Sequence, residues 1–169
     1  MAWYVVLVLA VALERLAELV VATRNARWSL SQGGRESGQG HWPFMVTLHT
    51  GLLAACLLEA GLLHRSFVPA LGWTCLALVV LAQALRWWCI RTLGRQWNTR
   101  VIVVPGLARV SGGPYRWLAH PNYVAVVVEG LALPLVRSAW ITAAAFTLLN
   151  LPLLAVRLRA EERALASLA

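Results

Sequence analysis

The chain has no lysine and no aspartate, and only 13% of its 169 residues are charged, against roughly 25% in an ordinary globular domain. With 60% of the residues hydrophobic and a mean hydropathy of +0.67, a water-soluble fold could not hide its apolar surface. A soluble enzyme or a free DNA-binding module is thereby excluded. Also missing is any C-x-x-C pair: Cys56, Cys75 and Cys89 stand alone inside apolar runs. This argues against zinc, a redox motif or a disulfide framework and suits small buried hydrophobes. No H-E-x-x-H or paired-histidine spacing is present, so no metal is expected. The N-terminus has no basic n-region, and Glu14, Arg15 and Glu18 interrupt its apolar run. A retained first span is therefore expected, not a cleaved signal.

What is present is a succession of apolar runs, all but the short fourth near the ~20 residues needed to cross a bilayer. They predict spans at residues 3–22, 43–63, 67–90, 123–136 and 139–158, within one multi-pass domain over 1–169. The fold class follows: an all-α integral membrane protein of about five transmembrane helices, with an inner-face loop and a helical C-terminal tail. The last two spans, separated by Arg137 and Ser138, form a tight hairpin. Residues 24–42 read as a polar, Gly-rich loop with a turn at Gly33-Gly34-Arg35-Glu36. Residues 91–122 form the longest non-apolar stretch, and within it Val101–Val104 is a β-branched run too short to span anything. The net charge of +8 is carried by arginine, which clusters on one side of this layout. Arg24, Arg27, Arg35, Arg91, Arg95, Arg100, Arg109, Arg116, Arg157, Arg159 and Arg163 fall on that side, and Arg65 and Arg137 on the other. By the positive-inside rule the N-terminus faces out, and the long loop and tail meet at the cytosolic face. Membrane topology thus accounts for the charge better than a nucleic-acid partner.

Ionisable groups at membrane depth cost ~2.5–3.5 kcal/mol or more and so have a partner or a function. Glu14 and Glu18 lie one turn apart beside Arg15, and pairing of one of them with Arg86 across helices is a structural reading. The functional reading from another class is a proton- or solute-conducting path through Glu14, Glu18, His49, Glu59 and Glu129. Against it, no internal repeat of the kind transporters use is visible. At about 100° per residue, Asn150, Arg157 and Glu161 fall within about 20° of one line, a polar stripe leaving the membrane. Pro152 is expected to bend that helix. Pro114 and Pro121 make a rigid entry into the fourth span, holding Tyr115, His120 and Tyr123 at the surface. The basic stretch Arg24-Asn25-Ala26-Arg27-Trp28, with His41-Trp42-Pro43, either sets orientation or lies over a lipid substrate as a lid.

Together, the G-P-Y-x-x-x-x-H-P-x-Y segment from Gly113 to Tyr123 and the R-x-x-x-E-E tail from Arg157 resemble the isoprenylcysteine carboxyl methyltransferase family. The features E-R-x-x-E, R-N-x-R-W, G-G-x-E and H-W-P-x-M-V-x-L-H look like a bacterial branch that accompanies type III polyketide synthases and is thought to O-methylate alkylpyrone or alkylresorcinol lipids. The resemblance implies an S-adenosylmethionine-dependent enzyme of the bacterial inner membrane, with residues 91–169 as its catalytic half. It further implies that Tyr115, His120, Pro121, Asn122 and Tyr123 line the cofactor pocket. Leu107, Ala108, Arg109 and Val110 would add backbone contacts, Glu161 would bind the cofactor from the tail, and Arg157 would face the acceptor. The family usually has Arg before the His-Pro pair, where this chain has Ala119, which leaves either a missing guanidinium contact or a substitute such as Arg116 or Arg109. A sulfonium cofactor suits carboxylates and aromatic faces, and no strand–G-x-G–helix unit offers a Rossmann site. The expected partners are a lipophilic small-molecule acceptor arriving from the bilayer and membrane lipids. A carboxylate or acidic enol acceptor would be nucleophilic once ionised, whereas a phenol would need a lowered pKa or a base, for which His120, Glu36 and Glu129 are candidates. Phospholipid N-methylation shares the same motifs and is the second enzymatic reading.

Overall fold

A computed structural model describes residues 1–38, 40, 42–108 and 110–166, with the backbone alone at 165 and 166. Its elements in chain order are α1 (Ala2–Ser31), β1 (Arg35–Ser37), α2 (Trp42–Leu62), α3 (Pro69–Leu93), β2 (Val101–Val103), α4 (Pro121–Leu135) and α5 (Trp140–Ala166). Short 3-10 turns occupy Gly94–Gln96 and Gly113–Arg116. Three stretches, Trp42–Leu62, Pro69–Gln96 and Trp140–Ala164, are long and apolar enough to cross a membrane, and Pro121–Leu135 is apolar but shorter. At 1.5 Å per residue α4 is ~22 Å long, short of the ~30 Å hydrocarbon layer. The architecture is that of an all-α membrane protein.

Apolar side chains cover both the inside and the outside of the bundle. Val6, Leu9, Leu13, Val80, Leu81, Leu148 and Leu149 point outward, while Tyr4, Val8, Cys56, Val79, Leu133 and Val136 are buried. Such all-round hydrophobicity marks helices surrounded by lipid. Inside, a small residue admits a large one. A Cβ on Gly130 would lie 2.0 Å from the Phe146 ring, so glycine there lets α5 approach α4 closely. Tyr4 donates to the Leu133 carbonyl oxygen at 3.0 Å and ties the start of α1 to the end of α4. Nearby, Glu59 of α2 accepts from the backbone N–H groups of Ile141 (3.2 Å) and Thr142 (2.7 Å) and from the Thr142 hydroxyl. It caps the first turn of α5 from a different helix, satisfying donors that a helix start leaves free, and Arg65 pairs with it at 2.9 Å.

Two local expectations are corrected. Residues 24–31 are not loop: α1 continues to Ser31, because leaving the apolar layer does not end a helix that Arg and Ala favour. Arg35 and Glu36 are not a turn but strand β1, antiparallel to the β-branched run, with Glu36 opposite Ile102. Pro152 lies within a continuous α5.

Candidate functional site

The chain turns sharply before α4. Gly113 adopts φ +55°, and a Cβ there would lie 2.5 Å from Thr92 Oγ1, so α3 and this turn require glycine. Pro114 is fully buried. Pro121 opens α4 at its first position, where a missing N–H costs nothing. This frame holds Tyr115 over Cys89 of α3, and burial, then the thiol, push its phenol above the ordinary tyrosine value. Tyr115 is therefore a neutral hydroxyl.

Around the turn lies a pouch of about 450 Å³, within the range of small-molecule sites, bordered by Val101–Val104, Leu107, Val110, Tyr115, His120, Asn122, Tyr123, Arg157 and Glu161. The β1–β2 pairing brings the segment after α1 onto its roof. Asn25 of α1 donates from Nδ2 to the carbonyl oxygens of Gly94 (3.0 Å) and Trp97 (2.8 Å), fixing the start of that loop. At the floor, the Tyr123 hydroxyl donates to Glu161 Oε2 and accepts from Arg157 Nε at 3.1 Å. Arg157, buried in α5, also donates from Nη1 to the Thr99 carbonyl oxygen at 2.6 Å. His120 stacks on Tyr123 with ring centroids 5.3 Å apart, its Nδ1 3.8 Å from Glu161 Oε1. A carboxylate, two stacked aromatic rings and a guanidinium thus meet on one wall.

That wall has two sides. A second, interior cavity of about 140 Å³ shares Trp97, Asn98, Asn122, Tyr123 and Arg157 with the pouch and runs between the helices to Arg15, Glu18, His49, Arg86 and Asn150. Asn122 Oδ1 is buried without a partner among the described residues, a free acceptor at the junction. A third hollow, an outward groove of about 490 Å³ between α4 and α5, reaches the pouch at Ala119, His120 and Tyr123 and meets the interior cavity at Tyr123 and Leu154.

The structure therefore brings together Leu107, Val110, Tyr115, His120, Asn122, Tyr123, Glu161 and Arg157. Ala108 is exposed and Pro121 buried, neither bordering the pouch; Arg109 and His41 lie outside the described residues. Glu36 sits on the roof strand, 3.4 Å from Arg100. Glu129 lies within the bundle, accepting from Arg86 and, at 3.1 Å, from Arg15. Arg116 does not border the pouch; Arg100 does, with its guanidinium over the Trp42 ring at 4.8 Å. Asn150 and Arg157 are both buried and face the interior cavity, while Arg157 and Glu161 face the pouch. Trp97, Asn98 and the Thr99 carbonyl went unrecognised in the sequence; the β-branched run beside them was the available signal.

Comparison with known proteins adds to this geometry. Residues 75–167 match the family described as isoprenylcysteine carboxyl methyltransferase (ICMT). The chain is 39% identical over 166 residues to a Bacillus subtilis (strain 168) protein called YpbQ and described as uncharacterized, covering 98% of this chain and 96% of that one. It is 25% identical over 157 residues to an uncharacterized Haemophilus influenzae protein, covering 91% and 90% respectively.

Proposed function

The chain belongs to the isoprenylcysteine carboxyl methyltransferase family, and from that premise we propose that it methylates an oxygen of a lipophilic acceptor using S-adenosylmethionine. Family membership by itself implies a membrane methyltransferase. The observation that carries the rest is the shared wall of Tyr123, Asn122 and Arg157, with a polar pouch on one side and an interior cavity on the other. Such a wall can hold two reactants against each other, and orientation supplies much of the acceleration of a bimolecular displacement.

The residues present fit the cofactor. Glu161 suits a cation, and the His120–Tyr123 stack lies beside it. The backbone of residues 101–104, 107 and 110 offers hydrogen-bonding groups beside the pouch, and Asn122 Oδ1 is an acceptor still in need of a donor. When bound, the cofactor supplies an electrophilic methyl group on sulfur. Arg157 faces the acceptor across Tyr123, and the α4–α5 groove gives an alkyl chain a path from the bilayer. We place the protein in a bacterial inner membrane, N-terminus outside, with the pouch at the cytosolic face. The acceptor we favour is a polyketide-type hydroxylated ring bearing an alkyl tail.

The test is calorimetric titration of the detergent-purified protein with S-adenosylmethionine. Wild type binds; His120→Ala or Glu161→Ala weakens binding roughly tenfold or more, about 1.4 kcal/mol. Unchanged affinity in both variants overturns the site. Accumulation of methylated phosphatidylethanolamine in expressing cells would assign N-methylation of phospholipid instead.

A further inference from the structure

Methylating a neutral hydroxyl requires somewhere for its proton to go, and the carboxylates in and behind the interior cavity are already engaged. Around the interior cavity, Glu18 of α1 accepts from Arg15 Nη1 at 2.8 Å and lies 3.4 Å from Arg86 Nε of α3. Glu129 of α4, behind them, accepts from both arginines, and Arg157 of α5 is held by Tyr123 and Thr99. His49 of α2 differs. Its Nδ1 lies 2.8 Å from the Met45 carbonyl oxygen. A carbonyl can only accept, so Nδ1 carries the ring proton, and the neutral imidazole presents Nε2 as a bare lone pair. Among the described residues no hydrogen bond engages Nε2, and the ring borders the interior cavity with Phe146 edge-on at 5.3 Å. Met45, whose carbonyl selects this tautomer, touches Arg157 through its sulfur at 3.3 Å. The turn that orients the imidazole therefore abuts the shared wall.

We propose that His49 Nε2 takes the proton from the acceptor hydroxyl when the acceptor's head group occupies the interior cavity. The assignment rests on the methyltransferase reading above and narrows the acceptor to a phenol or enol. A carboxylic acid, with an ordinary pKa near ~4, is already ionised at neutral pH and needs no base. As the O–H bond breaks, the proton forms an N–H bond at Nε2 and the electron pair on oxygen forms the new O–CH₃ bond. The electrons of the old S–CH₃ bond stay on sulfur, so the positive charge passes from the sulfonium donor to the imidazolium. Leu53, Val126 and Leu153 border the same cavity and limit the water that could compete for the proton.

A long-chain alkyl nitrophenol, whose phenolate absorbs in the visible, reports each step. Bound to wild-type protein without the donor, at a pH about one unit below the free probe's own pKa, it should show the phenolate band. Bound to His49→Gln it should not. With S-adenosylmethionine added, His49→Gln should methylate the probe about 100-fold more slowly, the lower end of general-base effects. Its donor affinity should stay within twofold of wild type. The deficit should shrink at alkaline pH, where the probe ionises unaided. Equal phenolate bands in wild type and variant, or a deficit of the same size at every pH, would overturn the assignment. Should the variant not fold, the wild-type spectrum decides: absence of the phenolate band at that pH overturns it. Failure of wild type to bind the donor overturns the methyltransferase reading itself, while the phenolate spectrum still judges His49.

Discussion

Two groups of charged side chains stand out in the fold, one inside the bundle and one at the start of α4, and they are built on opposite principles. In the first, Glu14, Arg15 and Glu18 of α1 meet Gln83, Arg86 and Trp87 of α3 and Glu129 of α4. Gln83 and Trp87 both donate to Glu14, and Arg15 reaches Glu18, Gln83 and Glu129. Each carboxylate there is taken up by donors of the protein itself. In the second, the Tyr123 ring lies between the stacked His120 ring and the Arg157 guanidinium, its hydroxyl donates to Glu161, and all four side chains border a hollow. Charge buried with its partners fastens helices together; charge buried beside empty space is available to a ligand.

Substitutions should separate the two groups. The largest effect expected is from Arg86→Leu, which leaves Glu129 and Glu18 buried and short of a partner, a loss of ~3–5 kcal/mol for breaking a buried pair. Thermal unfolding in detergent would show it as a large fall in midpoint, whereas a fall of donor affinity with unchanged stability would move Arg86 into the second group. Arg157→Ala should do the reverse. Charged hydrogen bonds are worth ~1.5–3 kcal/mol, so steady-state kinetics should show turnover reduced by one to two powers of ten with the unfolding midpoint little changed. Tyr123→Phe removes the hydroxyl between Glu161 and Arg157 and should cost ~1 kcal/mol, a several-fold loss of donor affinity by calorimetry. Glu36→Gln disturbs only a rim pair with the exposed Arg100. Such pairs contribute ~0–1 kcal/mol, so activity should hold within about threefold; a larger loss would make Glu36 part of the chemistry.

Periodicity made part of this legible. The stripe Asn150, Arg157 and Glu161 follows from helical geometry alone, as does the proline-framed entry at His120 and Tyr123. The long apolar runs announced the membrane fold. The contacts that close the site did not show, because they join residues far apart in the chain. Nothing local in Arg35–Ser37 marks it as the partner of Val101–Val103, since three residues carry too little alternation to read as a strand. Nor could spacing tell whether Glu14, Glu18 or both would meet Arg86; in the fold Glu18 does, and Glu14 turns to Gln83 and Trp87. Glu59 was equally opaque, because its role as a cap depends on where α5 begins beside it.

The pairing of β1 with β2 also limits how the chain can be divided. Residues 75–167, the stretch matching the family, lack β1, Asn25, Met45 and His49, so a shortened protein of that length would have an unlatched ceiling and one open flank. Two fragments cut between α2 and α3 should regain donor binding only when co-expressed, each supplying half of the enclosure.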